Sequence, residues 1–285
     1  MKINLSNLEF YIVFFLLIPG CTNNPFFEDK IEINENLEVN GKVFLGSNIN
    51  PENIFIWLEG FNISDWTNDN GDFKIMLPPS ASQAGGGLNG IYRLYVYSAN
   101  YKYEEFDLVV LNGQFKYNTE YLDNDGNFKR TIFLTKILDI TTIVEPNKIF
   151  STNKDPINFN VQLESLVDSV IVRTHFNRYW TPSSLIFLEE GAPKEDAILI
   201  QGNPAILGST VIKGVVSWQT SFVFSSNFFS EGIYEVSPYI QIIQQGLPMD
   251  LLFAIDENIF DTDYHYLSWP IKQKVGLLRV ENISP

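Results

Sequence analysis

Ile157-Asn158-Phe159-Asn160-Val161-Gln162-Leu163-Glu164 alternates apolar and polar side chains without a break. Successive side chains of a strand point to opposite faces. The stretch therefore offers Ile157, Phe159, Val161 and Leu163 to a core, and Asn158, Asn160, Gln162 and Glu164 to water. That is the pattern of a half-buried strand in an antiparallel sheet. The same period recurs upstream at residues 43–45, 54–58, 73–77, 91–97, 106–111 and 131–134, and downstream at 169–176, 197–200, 211–215, 218–224, 233–243, 251–255 and 273–280. Clusters of Asn, Asp, Gly and Pro separate these runs, and helical periodicity is nearly absent. The chain reads as all-β, with two antiparallel β-sandwich domains.

Its 285 residues exceed the usual size of one domain and divide into two bodies, each able to bury a core. With 45% hydrophobic and 19% charged residues, the chain is neither collagen-like nor disordered throughout. Lys and Arg number 19 against 34 Asp and Glu, a net charge of −15. Phosphate backbones need clustered cations, so nucleic acid is excluded as the expected partner.

The N-terminus carries an address. Lys2 precedes an apolar run at residues 10–18, then Pro19, Gly20 and Cys21. A run this short matches a secretory h-region, whereas a membrane-spanning helix needs about 20 apolar residues. The sequence Ile18-Pro19-Gly20-Cys21 resembles the lipobox of bacterial lipoproteins. That resemblance implies cleavage after Gly20, a diacylglyceryl thioether on Cys21, and acylation of the new amino terminus, as by palmitate. Cys21 is the only cysteine, so no disulfide within the chain is expected, and the folded part must rest on packing. Residues 22–35 are polar and read as a tether. The expected organisation is a signal peptide at 1–20, a lipidated tether at 21–36, and sandwiches at 37–137 and 138–285. Thr22, in the place where aspartate favours inner-membrane retention in some bacteria, points to the outer membrane.

Within the first sandwich, Gly41-Lys42-Val43, the strand from Ile54 to Gly60, the turn Thr67-Asn68-Asp69-Asn70-Gly71-Asp72-Phe73 and the run from Tyr92 to Tyr101 resemble the carboxypeptidase regulatory-like domain. The resemblance covers roughly residues 37–136 and implies a transthyretin-like β-sandwich. Residues 78–90 form a longer insertion than that family carries. The second sandwich, with short strands at regular spacing, is expected to be immunoglobulin-like.

Such domains often precede a peptidase or a transport barrel, but neither fits the remaining sequence. A transporter barrel would need some 22 strands of about ten residues each. The two histidines, His175 and His265, do not lie in a zinc-peptidase spacing, and no G-x-S-x-G nucleophile turn occurs. Gly85, Gly86 and Gly87 lack the following G-K-[ST] of a phosphate cradle and read as a flexible loop. Asp123-Asn124-Asp125-Gly126-Asn127 offers oxygens at alternate positions, but its glycine and missing glutamate depart from an EF-hand, leaving a hairpin turn as the preferred reading. Asp261, Asp263 and His265 would share one face of a strand, most simply a solvated one. No cofactor, metal or catalytic residue is expected.

Aromatic residues make up 14% of the chain. Trp66, Tyr101, Tyr103 and Trp180 fall in or beside expected turns, and Trp66, Tyr101 and Trp180 are the candidate ligand-binding residues, since ring faces stack on sugars. In the strand at 91–97, Leu94 and Val96 should face the core, leaving Tyr95 and Tyr97 on the other face. The function expected is that of a non-enzymatic, lipid-anchored envelope protein binding a glycan or a protein partner. The alternative is an assembly accessory acting through strand-edge pairing, and a third reading is a hydrolase with an unrecognised carboxylate site.

Overall fold

The computed structural model describes residues 35–282. The signal segment, Cys21 and nearly all of the tether lie outside the described residues. From Asn36 onward the chain forms one compact unit, and it is all-β apart from one short helix and a few single turns of 3-10 helix.

The first half contributes β1 (Glu38–Phe44), β2 (Phe55–Leu58), β3 (Ile63–Trp66), β4 (Asp72–Met76), β5 (Gly90–Tyr97), β6 (Glu104–Leu111), β7 (Gln114–Phe115) and β8 (Ile132–Phe133). They form a sandwich of a β4-β1-β8 sheet on a β3-β2-β5-β6-β7 sheet. Val39, Val43, Phe73 and Ile75 of one sheet pack on Ile56, Leu58, Leu94, Val96, Leu108 and Val110 of the other. The turn at 67–72 is built as its residues require. Asn68 Oδ1 accepts the amides of Asn70 and Asp72. Gly71 takes φ +81°, where a Cβ would come within 2.2 Å of the Val43 carbonyl oxygen. The insertion at 78–90 is pinned rather than free. Gln83 Nε2 donates to the carbonyls of Pro78 and Gly113, and its Oε1 accepts from the Leu88 amide.

The second half contributes β9 (Leu138–Glu145), β10 (Lys148–Phe150), β11 (Ile157–Ser165), β12 (Val170–Phe176), β13 (Ser184–Glu189), β14 (Ile198–Gln201), β15 (Ile206–Ile212), β16 (Val215–Phe222), β17 (Gly232–Pro238), β18 (Gln241–Ile243) and β19 (Gly276–Glu281). The sheet β10-β19-β17-β13-β14 and the sheet β16-β11-β9 enclose a core containing Phe159, Val161, Phe187 and Val236, while β15-β12-β18 extends the fold. In β11, Ile157, Phe159, Val161 and Leu163 are all buried, as the alternation requires.

Several expectations on strands are corrected: residues 211–215 straddle the break between β15 and β16, residues 233–243 divide into β17 and β18, and one strand has no counterpart in the alternation. Residues 251–255 are not a strand but part of helix α1 (Met249–Ile255), which follows Pro248 and buries Leu251 and Leu252. A short apolar run carries no period of its own, and the preceding proline suits a helix start. Conversely, Ser184–Glu189, with no alternation, is the strand β13, buried along most of its length because it is central and covered on both faces.

Tyr95 and Tyr97 do lie opposite Leu94 and Val96, but this outer face is covered. Phe55, Trp57, Tyr95, Tyr97 and Ala99 belong to one continuous core with Leu251, Leu252, Ile259, Tyr266 and Trp269. The hinge of this joint is polar, and Asn100 and Gln244 hold it with side-chain hydrogen bonds. Asn100 Nδ2 donates to the carbonyls of Leu138 (3.0 Å) and Lys272 (2.7 Å), and its Oδ1 accepts the Lys272 amide at 2.9 Å. Gln244 Nε2 donates to the carbonyls of Ala99 and Tyr101. A large share of the aromatic residues is thereby used inside the fold.

Candidate interaction surface

The three candidate ligand-binding aromatics have different fates. Tyr101 is fully buried, with the Lys136 ammonium 5.9 Å from its ring centre, so it offers no stacking face. Its expected role is corrected: the segment that looked like a turn carries backbone of the joint between the halves, and the ring belongs to the buried core of the first sandwich. Tyr103 is likewise drawn into that joint, its hydroxyl donating to the Gln245 carbonyl at 3.3 Å.

Trp66 is 39% exposed and leans on Phe55, ring centres 4.7 Å apart. It walls an open groove of about 550 Å³ with Asn40, Lys42, Asp65, Asp72, Lys74 and Asn127 among its lining. The groove's cations are already engaged, Lys42 with Asp72 at 3.4 Å and Lys74 with Glu38 at 2.7 Å.

Trp180 sits in the tight loop between β12 and β13 and is 68% exposed, beside Tyr179 at 75%. Asn177 builds this loop: its Oδ1 accepts the amides of Tyr179 and Thr181, and its carbonyl accepts that of Trp180. Trp180 holds φ +57°, a region bulky residues avoid, so the bracket from Asn177 keeps two aromatic rings in water at a conformational cost. The Arg178 guanidinium lies 5.4 Å from the Tyr179 ring. Arg, Tyr and Trp are the residues most enriched at the energetic centres of protein interfaces. The groove beside Trp66 does not include Trp180 in its lining.

The acidic segments are occupied by their own turns. Asp123 Oδ1 accepts from the amides of Asp125 and Asn127, and these bonds hold its carboxyl below the usual carboxylate range. Asp261, Asp263 and His265 are not on a strand. Asp263 caps a 3-10 turn, Tyr264–Ser268, by accepting the His265 amide, while His265 Nδ1 and Ser268 Oγ both bond Asp256 Oδ2, at 2.9 and 2.8 Å. Among the described residues no cluster of three or more His, Cys, Asp or Glu is placed to hold a metal ion.

The feature that strand-by-strand reading passes over is an edge. β16 pairs with β11 on one side alone, β15 with β12 on one side alone, and together they run along residues 206–222. Ile206, Leu207, Val211 and Val215 are exposed along it. Exposed edges are ordinarily kept short, covered, or guarded by charge and proline. The other edges of this fold obey that rule. β3, β7, β8, β10, β14 and β18 have two to four residues each. The Lys74 amide on the β4 edge is taken by Asp65 Oδ2, and β9 is covered by the segment around Lys274 through Thr142 N to Lys274 O and Lys274 N to Ile140 O. Residues 206–222 contain no proline and a single charge, Lys213. Alternation could have located β15 and β16, but their position at the border of the sheets depends on pairing partners far away in sequence.

No protein-family model matches the chain, and no curated protein matches it. Among solved structures it is similar to BcpA, the major pilin subunit of Bacillus cereus, at 13% identity and a TM-score of 0.27, covering 73% of this chain and 64% of that one. It is also similar to the BSP domain of a biofilm-associated protein, at 10% identity and a TM-score of 0.19, covering 88% of this chain and 28% of that one. The chain thus spans less than two thirds of the length of either structure.

Proposed function

We propose that this is a non-enzymatic, lipid-anchored protein of a bacterial outer membrane that binds a protein partner by accepting a β-strand along residues 206–222. The observation that carries the reading is the bare edge of β15 and β16, the one long border of the described sheets left without cover and with a single charge, Lys213. Main-chain hydrogen bonds along such an edge supply affinity, and side chains on alternate positions supply selectivity. The Arg178-Tyr179-Trp180 loop adjoins this edge, since Phe176 pairs with Ile206 and the Trp180 indole reaches within 4 Å of the Cβ position at Gly208. It gives the strand site an aromatic clamp. The anchor rests on Ile18-Pro19-Gly20-Cys21, which would hold the chain by several acyl groups at one membrane surface.

The groove beside Trp66 favours a second reading, recognition of a glycan, because an exposed indole there stands next to Asn and Asp side chains. The two are separated by a photo-crosslinking amino acid placed at Val215, with Ile91, also exposed, as the control position. In intact cells Val215 is expected to give a discrete protein adduct that Ile91 does not. Equal labelling from both positions would overturn the strand-acceptor reading.

A further inference from the structure

We infer that the strand received along this edge is the same edge of a second copy, paired antiparallel about a two-fold axis at Gly214. The inference rests on the strand-acceptor reading and names its partner.

The edge is not straight: it breaks at Lys213–Gly214, where Gly214 takes φ +58°, and β15 and β16 belong to different sheets on either side of the break. A straight partner strand can follow one half of such an edge and not the other. A partner that bends at the same place can follow both, and a two-fold axis through Gly214 supplies it.

Gly208, Thr210 and Ile212 alternate with the exposed Leu207, Ser209 and Val211, and Val216, Trp218, Thr220 and Phe222 alternate with the exposed Val215, Ser217, Gln219 and Ser221. Pairing about Gly214 sets Ile212 opposite Val216, Thr210 opposite Trp218 and Ile206 opposite Phe222 of the second copy. Every residue then meets one on the same face of the sheet, and a slip of one position would mismatch all of them. Shifts by two positions keep the faces but separate the two bends.

The loop bearing Tyr179 and Trp180 follows Phe176, the β12 partner of Ile206, while Val223 and Phe228, 65% and 42% exposed, lie just past Phe222, with Phe228 held against Phe224. The two-fold places the aromatic loop of each copy against the exposed apolar end of the other. Charge permits the approach: each copy carries −15, yet residues 206–222 hold no carboxylate, and Lys213 faces Val215 rather than its own counterpart.

The test uses the full chain extracted in mild detergent, followed by sedimentation over a wide concentration range. The native chain is expected to show a reversible monomer–dimer equilibrium. V215K sets an ammonium opposite Lys213 of the second copy, twice across the axis, and should weaken the dimer about tenfold. The double variant K213E/V215K restores opposite charges and should recover the native affinity. Both positions are exposed, so at concentrations low enough to keep every chain monomeric neither variant should melt below the native chain. A dimer indifferent to both variants, or a chain monomeric throughout, would overturn the second copy as the occupant. The strand-acceptor reading is judged separately by the Val215 adduct in cells, whose mass reports a different partner if one fills the edge.

Discussion

Replacing Asn100 by alanine should destabilise the whole protein, because one buried side chain ties its two halves together. The substitution removes three hydrogen bonds and leaves the carbonyls of Leu138 and Lys272 and the amide of Lys272 without their partner. Asn100 has no exposed surface, so water reaches these groups only if the joint opens. A buried polar group left unpaired costs about 1–3 kcal/mol. Three such groups, partly relieved by local relaxation, should lower stability by about 3–5 kcal/mol, a large part of the 5–15 kcal/mol typical of a folded domain. Urea unfolding read by tryptophan fluorescence suits the measurement, since Trp57 in the first half and Trp269 in the second both belong to the joint. The native chain should unfold in one transition whose midpoint falls in the variant with the slope unchanged. Ser98→Ala, which removes a single bond to the Pro270 carbonyl, should cost about 1 kcal/mol by the same reasoning. A loss below about 1 kcal/mol for Asn100→Ala, or separate transitions for the two halves, would refute the account of the joint.

The two histidines predict a stability maximum near their ordinary pKa, about 6.5. The Asp256 carboxylate bonded to His265 raises that imidazole, so its stabilisation is complete below the unfolded value and is lost as pH rises through the folded one. Burial beside Tyr239 lowers His175, so stability falls as pH drops below the unfolded value toward the folded one. Melting temperatures from pH 5 to 8 should show both limbs, and Asp256→Asn should flatten the alkaline one; an unchanged alkaline limb would contradict the pairing. Gly71→Ala should cost more than about 2 kcal/mol, combining the strain of a positive φ with the clash against Val43, and a neutral effect on melting would show the turn to be built otherwise. Cys21→Ser should move the protein from the membrane to the soluble envelope fraction, while unchanged retention would remove the lipid anchor from the account.

Much of the fold was legible because period-two alternation is a local property. β11 and β5 bury the residues their patterns assign, and the turn at 67–72 forms from the Asn and Gly that such turns need. What alternation cannot report is the second cover on a sheet. Tyr95 and Tyr97 were rightly placed opposite the core residues, yet the layer that buries them comes from around Leu251 and Trp269, far along the chain. β13 and α1 were lost for a related reason: short apolar runs without alternation carry no period to separate strand from helix. The candidate site divided on the same line. Trp180 is exposed because a local bracket from Asn177 holds it, a device visible in neighbouring residues. Tyr101 is buried by contacts that only the folded chain brings together, and the open edge of β15 and β16 is defined by the neighbour it lacks.

The central claim is that residues 206–222 accept a strand, and amide hydrogen exchange along that segment tests it most directly. The outward-facing amides of an unpaired edge exchange with solvent, whereas a paired strand protects them. Exchange should be measured by mass spectrometry on the dilute isolated chain and again on the chain in native envelope membranes. The account predicts that peptides spanning β15 and β16 slow by at least about tenfold in the membranes while peptides covering β6 remain unchanged, consistent with a newly formed ladder of main-chain bonds. Exchange at 206–222 that is equally fast in both samples would contradict it.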